Sequence, residues 1–102
     1  MMKIDRNHSF SLEEARSRLE ALTTYWRTKY GITPQWSGNT LRCKGSVKGI
    51  DFDATMDVAE KAIKCEAEVG WLAERLGARA YIEKKLGEYL DPQRAVTALP
   101  RG

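Results

Sequence analysis

Apolar positions change period along this chain. Residues 2–8 (MKIDRNH) alternate weakly, as a short strand does. From residue 11 the step lengthens: Leu12, Ala15, Leu19, Leu22 and Trp26 recur every three or four residues and form one apolar stripe. Ser11 with Glu14 three residues on is a capping box, and Gly31 is a left-handed stop. The spacing predicts a helix over 12–30, with Arg16, Arg18, Glu20 and Arg27 mostly off the stripe.

Between Ile32 and Val69 the period shortens to two. Two-residue turns at Gly38-Asn39, Lys48-Gly49 and Glu60-Lys61 give a meander with a defined register. Trp36 then faces Leu41, and Pro34 faces Cys43. Val47 faces Ile50, Gly45 faces Phe52, and Cys43 faces Ala54. Val58 faces Ile63, Met56 faces Cys65, and Ala54 faces Ala67. All of these share one side. On the other, Lys44 meets Asp53 and Glu68, Asp57 meets Lys64, and Arg42 meets Thr55 and Glu66. A slip of one residue would turn a whole strand over, so the agreement of three turns fixes the register. Asp51, Asp53 and Asp57 are thereby read as a solvated face with lysines beside it, not as converging metal ligands.

Gly70 ends the last strand, and residues 71–90 read as a second helix, stopped before Pro92. Leu72, Leu76, Ile82, Leu86 and Leu90 make its apolar side, while Gly77 and Gly87 each weaken it by ~1 kcal/mol against alanine. Arg75, Arg79 and Glu83 fall inside the apolar arc of an ideal wheel. Either the helix bends near Gly77 and rotates them out, or they lie over the sheet as an ion-pair row. Residues 92–102 have no periodicity and read as a flexible tail on a single domain of residues 1–91.

The fold class is α+β, with order β-α-β-β-β-β-α: an antiparallel meander with two helices on one face, a small helix-grip-like arrangement. The helices are the only cover for the dry face. Five strands at about 4.8 Å span about 24 Å, which two helices of about 10 Å nearly match. The first strand is placed antiparallel beside the strand at 62–69.

Composition adds bounds. With 102 residues there is room for one core; 42% apolar and 30% charged residues are ordinary for a folded chain. No apolar run can span a bilayer, and MMKIDRNHSF lacks the apolar centre of a signal peptide, so a cytoplasmic protein with reduced thiols is expected. Cys43 and Cys65 would lie two strands apart, about 9–10 Å, too far for a disulfide. The net charge of +3 is mild, but residues 1–48 hold nine Lys/Arg against four Asp/Glu. That leaves weak polyanion binding through Arg16, Arg18, Arg27 and Lys29 as one reading, although nucleic acid is not the expected partner.

Three candidate sites emerge. Small residues (Pro34, Cys43, Ala54 and Ala67) form a row across the inner face. A helix approaches it closely, or a groove for an apolar or acyl ligand opens by Cys43, Ala54, Met56 and Ala67. Arg6, His8, Arg75 and Arg79 could hold an anion, or snorkel at the edge. Trp71, Tyr81 and Tyr89 could form an exposed apolar patch for a surface or partner. No nucleophile–base motif, phosphate loop or metal box is present, and His8 is the only histidine, so neither enzyme activity nor a cofactor or metal is expected.

Ile4-x-x-x-His8, Glu14-Ala15-Arg16 at a helix start, Trp36-x-Gly38-x-x-Leu41, Gly49, Val69-Gly70 and Ile82-Glu83 together resemble the polyhydroxyalkanoic acid system proteins, over residues 3–90. Cys43 departs from the pattern, where the family carries a bulkier, often aromatic residue. The resemblance implies a bacterial cytoplasmic protein linked to polyhydroxyalkanoate granules, with a granule surface or granule protein as partner. It implies no reaction and transfers no catalytic residue. An exposed edge strand at 2–8 or 32–37 would also allow homodimers by edge pairing.

Overall fold

Ser11 opens the first helix: its hydroxyl accepts the amide N–H of Glu14 at 3.2 Å. The structure, a computed structural model, describes residues 2–47 and 49–102, without the side chains of Val47, Ile50, Trp71 and Leu72. Its elements are β1 (Met2–Asn7), α1 (Leu12–Tyr30), β2 (Thr33–Ser37), β3 (Thr40–Val47), β4 (Ile50–Ala59), β5 (Ala62–Val69), α2 (Trp71–Arg75), α3 (Ala78–Tyr89) and a 3-10 turn at Val96–Ala98. Gly31 closes α1 at φ 72°, its N–H donating to the Arg27 carbonyl.

The five strands form one antiparallel sheet in the order β1-β5-β4-β3-β2. Every register pair named above is present, including Cys43↔Ala54↔Ala67 and Lys44↔Asp53↔Glu68. β1 lies beside β5, with Ile4 opposite Cys65. Lys48 and the facing of the Val47 and Ile50 side chains lie outside the described residues, although the two Cα positions pair. Leu41, Cys43, Ala54, Met56, Ile63, Cys65 and Ala67 are all buried on the helix side. Opposite them, Arg42 clamps Asp53 with Nε and Nη2 at 3.2 and 2.9 Å, and Thr40 donates to Asp57 at 2.6 Å. The Arg42 guanidinium holds the Asp53 carboxyl below its ordinary range. Asp53 and Asp57 thus sit on the wet face, the first paired with Arg42 and the second opposite Lys64, and Asp51 lies opposite Ser46. Among the described residues no His/Cys/Asp/Glu group is arranged to hold a metal.

Two expectations are corrected. The second helix is not continuous. It breaks at Leu76-Gly77 into α2 and α3, with Gly77 at φ +100°, a conformation open to glycine and strained for other residues. Of the two alternatives for Arg75, Arg79 and Glu83 this is the bend near Gly77: the three lie on the surface, and Leu76, expected on the apolar side, is turned outward to 74% exposure. The expected place of Leu72 on the apolar side lies outside the described residues.

Arg18 is the second correction. Read as lying off the stripe, it is 2% exposed. Its Nη1 donates to the carbonyls of Tyr89 and Asp91, its Nη2 to that of Arg94, and its Nε to Glu14. Its guanidinium also lies 4.0 Å from the Phe10 ring centre. Residues 92–102, read as a flexible tail, are held back by the charge-assisted bond from Arg18 to the Arg94 carbonyl. Leu99 buries itself in the core at 2% exposure, and the Tyr89 hydroxyl donates to the Pro100 carbonyl.

Candidate functional site

The break at Gly77 opens a cleft of about 290 Å³ where the helices part above the sheet. Its floor is Phe52 on β4 and Val69 on β5, which are Cα partners, with Ile32 beside them. One wall is the end of α1, with Trp26 and Tyr30; the other runs from Ala73 through Leu76, Gly77 and Ala78 to Tyr81 and Ile82. Ala73, Gly77 and Ala78 are too small to fill the space that the aromatic side leaves. Trp26 sets the geometry. Its ring meets Phe52 edge-on, centroids 6.0 Å apart at 73°, and its Nε1 donates to the Tyr81 hydroxyl at 3.2 Å. Burial pushes the Tyr81 phenol up to about 12.

The small-residue row ends one pleat short of this cleft. Cys43, Ala54, Met56 and Ala67 are buried at 0–1% exposure and none lines it. The next inward pair along β4 and β5, Phe52 and Val69, does. Both thiols are free, and burial pushes Cys43 up to about 12 and Cys65 up to about 11.

Arg6, His8, Arg75 and Arg79 do not converge. His8 Nε2 donates to the Ala59 carbonyl at 2.9 Å, and its Nδ1 accepts the Phe10 N–H at 3.1 Å. Arg79 donates to the Lys3 carbonyl at 2.9 Å and lies 3.8 Å from Glu83. Arg6 lies against Gly87, where a Cβ would stand 3.1 Å from its Nη2. Arg79 and Gly87 are two turns of α3 apart, about 12 Å along the axis. Arg75 is exposed on α2.

The proposed surface patch also divides. Tyr89 is 1% exposed, because the returning tail covers it, and so it is no surface residue. Tyr81 is 37% exposed at the cleft, and the Trp71 side chain lies outside the described residues. Of the basic residues on α1, Arg18 is buried and Arg16 stacks on Trp36 with its guanidinium 4.6 Å from the ring. Arg27 and Lys29 remain exposed.

Sequence reasoning missed the cleft walls Trp26, Tyr30, Phe52, Val69 and Ala73. The signal available was Ala73, Gly77 and Ala78, small residues at a glycine that can break a helix.

Lys29 donates from Nζ to the Tyr25 hydroxyl at 3.0 Å, and this bond lowers the Tyr25 phenol from its ordinary value. Lys85 Nζ lies 4.7 Å from the Tyr25 ring centre and 3.4 Å from Glu88. These groups form a cationic and phenolic border next to Tyr30 and Tyr81.

No curated protein and no solved structure matches the chain. The family described as "Putative polyhydroxyalkanoic acid system protein" matches residues 2–93, which include every residue lining the cleft. The chain therefore belongs to that family of the polyhydroxyalkanoate system.

Proposed function

We propose that this chain is a non-enzymatic accessory protein of the polyhydroxyalkanoate system, working in the cytoplasm at storage granules, and that it takes hold of polyester or acyl chains through the cleft between α1, α2–α3 and the sheet. One observation carries the reading: an aromatic-walled cleft of about 290 Å³ with Leu76 standing 74% exposed beside it. Exposed apolar side chains around a concave apolar surface mark contact with an apolar partner. Family membership supplies the setting.

The lining supports binding over catalysis. Among the described residues it offers no carboxylate, imidazole or thiol, and the Tyr81 phenol, pushed up to about 12, keeps its proton at neutral pH. Among the described residues no helix is long and apolar enough to cross a membrane. In this reading attachment to a granule runs through the cleft and its rim.

The test is co-sedimentation of the purified chain with polyhydroxyoctanoate particles. The wild-type chain should pellet with the particles and return to solution in mild detergent. Leu76→Asp, which changes an exposed side chain, should lower the bound fraction several-fold. A wild-type chain that stays in the supernatant contradicts the proposal.

A further inference from the structure

Two ammonium groups stand beside rings that line the cleft. Lys29 Nζ lies 5.8 Å from the centre of Tyr30, and Lys85 Nζ lies 5.9 Å from the centre of Tyr81. Tyr25 lies between them, accepting from Lys29 and presenting its ring to Lys85. Among the described ion pairs one carboxylate answers these two cations, Glu88 on Lys85. Lys29 has a phenol as its partner instead. Neither lysine lines the cleft itself, but behind its Tyr30 and Tyr81 wall the described ion pairs set two ammonium groups against one carboxylate.

Volume restricts what could lie there. At ~30 Å³ for each water-sized group, the cleft takes about ten non-hydrogen atoms. That matches the size of a chain of eight carbons that ends in a carboxylate. A neutral ester would use the apolar walls and add no negative charge to the one that Glu88 brings to Lys85. A free acid would use both.

We propose that the cleft recognises a free medium-chain acyl carboxylate, such as a hydroxy acid released from the polyester. The carboxylate lies against Lys29 and Lys85, and the alkyl part lies among Trp26, Phe52 and Val69. This inference rests on the cleft being a binding site for acyl material, and it adds which end of the acyl chain is read. Tyr25 holds Lys29 in place, and Lys85 reaches the same border from α3, so the two helices share the head group.

Calorimetric titration of the full chain with 3-hydroxyoctanoate and with its methyl ester tests this directly. At low salt the acid should bind about tenfold more tightly than the ester, as two partly exposed ion pairs allow. The preference should fall towards unity in about 0.5 M salt and in Lys29→Gln/Lys85→Gln, because it arises from screened charges. Equal wild-type affinities for acid and ester would overturn the carboxylate assignment and leave the cleft reading standing. A preference that survives in the double variant would overturn it as well. Failure of both ligands to bind at millimolar concentration would overturn the cleft reading itself.

Discussion

The indole Nε1 of Trp26 donates to the hydroxyl of Tyr81 at 3.2 Å, joining residues 55 positions apart in sequence. This bond ties the last turns of α1 to α3 and keeps two aromatic rings apart as facing walls. Tyr81→Phe should leave a partly buried N–H without its acceptor and lower unfolding stability by about 1–2 kcal/mol. A urea midpoint shifted down with unchanged slope is the expected result. An unchanged midpoint would mean that the bond does not hold the walls.

Arg18 and the C-terminal segment should behave as one unit. Arg18→Met removes donors to three backbone carbonyls and should cost about 2–4 kcal/mol. Removing residues 92–102 takes away the Arg94 acceptor of Arg18 and exposes the site of Leu99, the leucine alone worth about 1.5–3 kcal/mol. Combined, the two changes should cost less than their sum, because each removes part of the same contact. Thermal or urea unfolding of the two single variants and the double variant checks this.

Gly77→Ala has a sign that depends on the helix break. In a continuous helix the change would stabilise the chain by ~1 kcal/mol. At φ +100° it should instead destabilise by about 1 kcal/mol or more. The direction of the shift in melting temperature is enough to decide.

The sheet was legible from sequence and the cleft was not, for physical reasons. Alternation of period two determines both which residues pair and which side they face. Hence Pro34↔Cys43↔Ala54↔Ala67 and the charged rows opposite followed from three turns. The apolar stripe and the capping box likewise determined α1. Periodicity carries no information on an aperiodic segment folding back, so neither the return of residues 92–102 nor the burial of Arg18 was visible. Arg18 stands beside the stripe, three residues after Ala15 and four before Leu22, and is buried where the end of α3 and the segment after it bring the carbonyls of Tyr89, Asp91 and Arg94 to it. Gly77 reads in sequence as a propensity cost and as one possible place for a bend, while its positive φ and the size of the break are tertiary outcomes. Trp26, Phe52, Val69 and Tyr81 come together only once that break is made.

Alkaline pH should destabilise the fold before neutral or mildly acidic pH does. Cys43, Cys65 and Tyr81 are all raised, to about 12, about 11 and about 12, from ordinary values of 9.0 for the thiols and 10.0 for the phenol. The folded chain keeps protons that the unfolded chain releases, so the stabilisation is complete below pH 9 and is lost as pH rises through 11–12. Urea midpoints should be flat near neutrality for these groups and fall from about pH 9 upward. In the same experiment a thiol reagent at pH 8 should leave both cysteines unmodified until the chain unfolds. Rapid labelling of the folded chain would contradict their burial.

The cleft itself is tested most directly by a nuclear magnetic resonance titration of the 15N-labelled full chain with 3-hydroxyoctanoate. The indole N–H of Trp26 and the backbone amides of Ile32, Phe52, Val69, Ala73 and Ala78 should shift together and saturate, while the wet face around Asp53 and Thr55 stays still. A titration that moves none of the cleft signals at millimolar ligand, or that moves only the wet face, would contradict the account.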